Sequence, residues 1–77
     1  MLDINGIEIQ PGMRIARVLK SSGKIDEVGI IVRKTAKNKL IMRIDITYRY
    51  GMIFENQDSC NEVALNERFN YKILESN

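Results

Sequence analysis

The chain contains no histidine and no tryptophan, and only one cysteine and one proline among its 77 residues. Without histidine, the usual general base near neutral pH and the usual nitrogen ligand for a metal are both missing. The lone Cys60 cannot form an internal disulfide, which fits an intracellular, cytoplasmic setting. Its neighbours Asp58 and Glu62 would raise a thiol pKa rather than lower it, so it makes a poor nucleophile. The five glycines lie too far apart to cradle a phosphate, and the carboxylates are scattered singly. No apolar run approaches the roughly 20 residues of a membrane span. The N-terminal MLDINGIEI lacks the basic flank and apolar stretch of a signal peptide. An enzyme, a metal protein and a cofactor carrier are therefore not expected.

What is present is alternation. From Leu40 to Tyr50, residues 40, 42, 44, 46, 48 and 50 are apolar or aromatic. Arg43, Asp45, Thr47 and Arg49 occupy the other parity. This is the signature of a strand with one buried and one solvated face. At full extension it would run to roughly 36 Å, about twice an ordinary strand, so a bend is expected within it.

The remaining chain reads as short β elements separated by turn residues. Asn5-Gly6, between Leu2-Asp3-Ile4 and Ile7-Glu8-Ile9, predicts a type I′ hairpin. Pro11-Gly12 predicts a turn, Met13 to Lys20 a strand buried in part on both faces, and Ser21 to Lys24 a loop. Glu27 to Arg33 is rich in β-branched residues and predicts a strand, followed by the polar hairpin loop Thr35 to Lys39. Pairing Lys34 with Leu40 places Val32 opposite Met42, Ile30 opposite Ile44 and Val28 opposite Ile46. Met52 to Glu55 predicts a short returning strand and residues 56–61 a loop. Glu62 to Asn66 fits one helical turn capped by Asn61, and Phe69 to Leu74 a closing strand. The organisation expected is one domain over 1–77. It comprises an N-terminal hairpin and turn (1–12), core strands (13–55), a loop with the helical turn (56–68) and a closing strand (69–75).

Together these elements predict an all-β fold of five or six antiparallel strands. The placement of Gly12 before a strand, and of Gly29 two residues before Ile31 at the opening of the next, resembles small SH3-like barrels of the KOW and Tudor type. The resemblance covers about residues 10 to 55. It implies a small barrel and, in the KOW case, a nearby loop that approaches RNA. Here that loop holds Asp26 and Glu27, which repel phosphate, so the resemblance extends to the barrel more than to RNA binding.

Function then reduces to binding. Residues 14–50 carry ten Lys/Arg against three carboxylates, a net of +7, whereas residues 1–13 carry −2 and residues 51–77 carry −3. The predicted register puts Ile31, Arg33, Ile41 and Arg43 together on the outer face. Either the N-terminal hairpin or the C-terminal segment folds over them, or they form an apolar patch with a charged border that takes a protein partner or a second copy. The reading taken is a protein-binding module, an inhibitor or accessory protein of bacterial or phage origin. The alternative is a nucleic-acid-binding barrel using Arg33, Lys34, Lys37, Lys39, Arg43 and Arg49 on phosphates. Tyr48, Tyr50 and Tyr71 fall on the buried parity, which deprives that alternative of a stacking platform. No membrane and no small-molecule substrate is expected.

Overall fold

A computed structural model describes residues 1–49, 51–55 and 61–75. Residues 56–60 of the expected loop over 56–61, Asp58 and Cys60 among them, and Tyr50 lie outside the described residues. Six strands form one antiparallel sheet: β1 (Arg14–Val18), β2 (Ile25–Lys34), β3 (Leu40–Arg49), β4 (Met52–Glu55), β5 (Glu62–Ala64) and β6 (Asn70–Glu75). No helix among the described residues is long and apolar enough to cross a membrane.

The hydrogen-bonded path runs β4-β3-β2-β1-β6, so the last strand returns beside the first. β3 is shared: β2 lines one edge, while β5 and β4 occupy successive halves of the other. The core under this sheet is built from Ile9, Ile15, Ile31, Leu40, Met42, Ile44, Leu65 and Tyr71, with Val63, Phe69 and Ile73 packed at its margin. The N–H of Asn66 donates to Tyr71 Oη at 3.1 Å, tying the segment after β5 to β6.

Residues 62–64 are a strand, not the expected helical turn. Glu62, Val63 and Ala64 pair with Arg43, Met42 and Ile41, and the N–H of Leu65 donates to Leu40 O at 2.9 Å. A segment this short has no helical stability of its own, so the open edge of β3 decides its conformation.

The β2–β3 ladder starts in the expected register, with Lys34 opposite Leu40, and ends in it, with Val28 opposite Ile46. Between them it slips by one residue and slips back. Ile31 faces Met42, Ile30 faces Arg43 and Gly29 faces Ile44, with Val32 and Asp45 as the extra residues. A bulge reverses the side-chain parity beyond it and bends the strand. Ile31 accordingly points into the core, whereas Ile46 and Tyr48 turn away from the side to which Ile44 belongs. Gly29 sits at the second slip, where an added Cβ would collide with the backbone carbonyl of Arg43. Only a residue without a side chain fits there.

The N-terminal ribbon is organised by a buried carboxylate rather than by a type I′ turn. Gly6 has φ 78°, but Asn38 is the only described non-glycine residue at positive φ, so Asn5 does not meet the I′ requirement. Instead Asp3 Oδ1 accepts the N–H groups of Asn5 and Ile7, each at 2.9 Å. Asp3 Oδ2 accepts the N–H of Ile73 at 3.2 Å, and the N–H of Ile4 donates to Tyr71 O at 2.9 Å. The ribbon thus lies along the outer edge of β6 and satisfies main-chain groups that an edge strand would leave bare.

Candidate functional site

The four residues expected to form an outer partner patch do not form one. Ile31 is 1% exposed and part of the core, because the Val32 bulge reverses its direction. Ile41 is only 9% exposed, with β5 running alongside it opposite Ala64. Ile41 is therefore buried as the covered alternative requires, while β5 pairs with the edge of β3 beside it. Arg33 and Arg43 converge on Glu62: Arg33 Nη1 donates to Oε1 at 2.6 Å and Arg43 Nη2 approaches Oε2 at 3.5 Å. The Arg33 hydrogen bond, and after it the charges of both guanidinium groups, outweigh desolvation and hold the Glu62 carboxyl below its ordinary value. This cluster is charge-balanced in part and lacks an accessible apolar centre.

The basic hairpin loop closes as expected, with the N–H of Thr35 donating to Lys39 O at 2.8 Å and Asn38 at φ 63°. Lys34, Lys37 and Lys39 are exposed and form no ion pair with any described residue. Beside them is an open cleft of about 620 Å³ lined by Lys39, Leu40, Leu65, Glu67 and Arg68 among others. Arg49 lies apart from this group and attracts Glu27 across the sheet. The six cations expected to act together therefore divide into three sets: Arg33 with Arg43, the three lysines, and Arg49.

Asp26 and Glu27, expected in the loop before Gly29 where they would repel phosphate, lie instead on β2, and both are engaged by one cation. Arg17 Nε and Nη2 donate to the two oxygens of Asp26 at 3.0 and 2.7 Å, and Arg17 also contacts Glu27 Oε1. Its guanidinium lies 4.1 Å from the ring centroid of Phe69, which covers the charged group with an apolar face. Desolvation pushes the Glu27 carboxyl above its ordinary value despite the attraction of Arg17. Among the described residues no three His, Cys, Asp or Glu side chains gather as a metal site would require.

Two groups of exposed apolar side chains remain: Leu2, Ile4 and Ile7 on the N-terminal ribbon, and Tyr48, Met52, Ile53 and Phe54 on the β3–β4 arm, which holds the most exposed of them, Ile53. Met52 is 58% exposed, Ile53 64%, Phe54 45% and Tyr48 37%. Ile53 pairs with Tyr48 on one face of the arm, while Phe54 pairs with Thr47 and Met52 with Arg49 on the other. β4 ends the hydrogen-bonded path, so its outer edge has no strand partner among the described residues. The two edges of the sheet differ: β6 is covered by the N-terminal ribbon, whereas β4 presents Met52, Ile53 and Phe54, with a single charge, Glu55, at its end. Such an edge is ordinarily blunted by charge, proline or a covering segment. In the sequence, Met52-Ile53-Phe54 was legible as a strand. Its exposure was not, because the parity of Tyr48 depends on the Asp45 bulge.

Comparison of the chain with protein-family models, with curated proteins and with solved structures finds no match.

Proposed function

We propose that this chain is a non-enzymatic protein-binding module, an SH3-like barrel whose β4 edge receives an extended segment of a partner protein. The observation that carries this reading is the open, apolar β4 edge in a chain that covers its other edge. Addition of a strand would satisfy the main-chain groups of β4 that no described strand pairs, and alternate side chains would meet Ile53 and Tyr48 on one face and Met52 and Phe54 on the other. The barrel assignment is supported by the return of β6 to β1, the turn at Gly12 with φ 93°, the close approach at Gly29 and the bent, shared β3. A cytoplasmic accessory or inhibitory role of bacterial or phage origin is the setting proposed for it. The test is partner capture with the wild type and with Ile53→Lys, which adds a charge to the edge without touching the core. Loss of capture in the variant supports the reading; equal capture overturns it.

A second reading, phosphate contact by Lys34, Lys37 and Lys39, is favoured by their exposure without carboxylate partners among the described residues. Amide-resolved NMR titration with single-stranded and duplex oligonucleotides distinguishes it. Shifts at residues 34–39 that persist at physiological salt and disappear in Lys37→Glu/Lys39→Glu would place the function there.

A further inference from the structure

We infer that the strand received at the β4 edge is β4 of a second copy of this chain; the inference rests on the open edge just described. Two antiparallel copies of one strand, related by a twofold axis normal to the sheet, must pair residues whose numbers sum to an even constant. Centring the pairing on Ile53 sets Ile53 against the second copy's Ile53, and Met52 against the second copy's Phe54. Every pair from 52 to 54 is then apolar on apolar. Glu55 falls opposite Gly51, so no carboxylate meets a carboxylate. Centring on Phe54 instead would set Ile53 against Glu55, and centring on Met52 would set Ile53 against Gly51, so only the first register pairs all three apolar residues with apolar residues.

Charge supports the same occupant. Residues 51–54 carry no ionisable side chain, so the strip contains nothing to repel its own copy and nothing to select a foreign strand by charge. A net charge of +2 puts little Coulomb opposition between copies. On one face of the joined sheet the two Ile53 side chains lie between the two Tyr48 rings. On the other, Met52 and Phe54 of both copies form a four-residue apolar cluster. The exposed parts of Tyr48, Met52, Ile53 and Phe54 amount to on the order of 400 Å² per copy, so pairing buries at most about 800 Å² in all, below the standard size and in the range of weak, reversible contacts. A dissociation constant of roughly 10 to 500 μM is expected, not a permanent dimer.

The experiment is sedimentation equilibrium of the full chain from about 10 μM to 1 mM, with Ile53→Lys and a control, Ile7→Lys. Ile7 is half exposed on the N-terminal ribbon, away from β4. The wild type and the control should rise towards twice the chain mass, and Ile53→Lys should weaken association at least tenfold while keeping the wild-type circular dichroism spectrum. A wild type that stays monomeric to 1 mM, or an Ile53→Lys variant that associates equally well, overturns the inference. Hydrogen exchange of the β4 amides in the dilute sample separates the two levels of the proposal. A monomer with unprotected β4 amides refutes only the second copy as occupant. A monomer with protected β4 amides refutes the open edge as well.

Discussion

The carboxylate of Asp3 accepts the backbone N–H of Ile73 at 3.2 Å, joining the two ends of the chain through one buried side chain. The same carboxylate closes the N-terminal turn through Asn5 and Ile7. Replacing Asp3 with Ala removes the acceptor for three main-chain donors and is expected to cost about 2–3 kcal/mol in urea unfolding at neutral pH. It should also release the ribbon from β6, so that amides of residues 71–74 exchange faster while those of β2 do not.

Acid should weaken the same contact. Burial tends to raise the Asp3 pKa, but the N–H groups of Ile7, Ile73 and Asn5 together hold it below its ordinary 3.8. Because the folded value is the lower one, the stabilisation is complete above about 3.8 and disappears as pH falls through the folded value. Glu27 acts in the opposite sense. Desolvation raises its folded value above the ordinary 4.5, so its contribution favours the fold at low pH and fades as pH rises through that raised value. Glu27→Gln should therefore gain stability relative to wild type between pH 4 and 7, while Asp3→Asn should flatten the decline below pH 4. Urea midpoints measured across pH 2.5 to 7 check both signs.

Arg17 serves two carboxylates and one aromatic ring, so its removal should be felt more than that of any surface cation. Arg17→Leu leaves Asp26 and Glu27 adjacent without a counter-charge. A loss of about 2–4 kcal/mol is expected, towards the lower part of the range for buried pairs because about a fifth of these side chains still reaches solvent. The double change Arg17→Leu/Glu27→Gln should recover part of that loss in the same unfolding assay.

The close passage of β2 under the Arg43 carbonyl makes Gly29 the position least tolerant of a methyl group. Gly29→Ala is expected to destabilise by about 1–3 kcal/mol, since backbone must move to admit it. Ile41→Asp should cost a similar or larger amount, about 2–4 kcal/mol, as a charge placed on a covered face. Thermal and urea unfolding of both variants test this, and a near-neutral Ile41→Asp would contradict the burial of Ile41.

Much of the fold was legible in the sequence because alternation and turn chemistry are local signals. β2, β3, β4 and β6 lie close to their expected positions, and the two ends of the β2–β3 register are as pairing of inward residues dictates. What was not legible sits between those ends. A bulge at Val32 and a second at Asp45 cancel in register, so no mismatch at either end betrays them, yet between them Ile31 moves into the core, and beyond the second Tyr48 moves out. The expected patch failed for that reason, and the apolar arm was hidden by the same slip. The strand at 62–64 escaped notice because its three residues carry no propensity strong enough to outweigh an available edge. Asp3 was legible only as an acid near a turn, since its partner Ile73 is distant in sequence.

The open β4 edge is tested most directly by amide hydrogen exchange on a dilute sample, resolved by NMR. The amides of residues 52–55 that point away from β3 should exchange within about tenfold of the unfolded rate, while that of Ile73, which donates to Asp3 on the covered β6 edge, is protected by at least a hundredfold. Equal protection at the two edges would contradict an open β4, and with it the docking of any strand there.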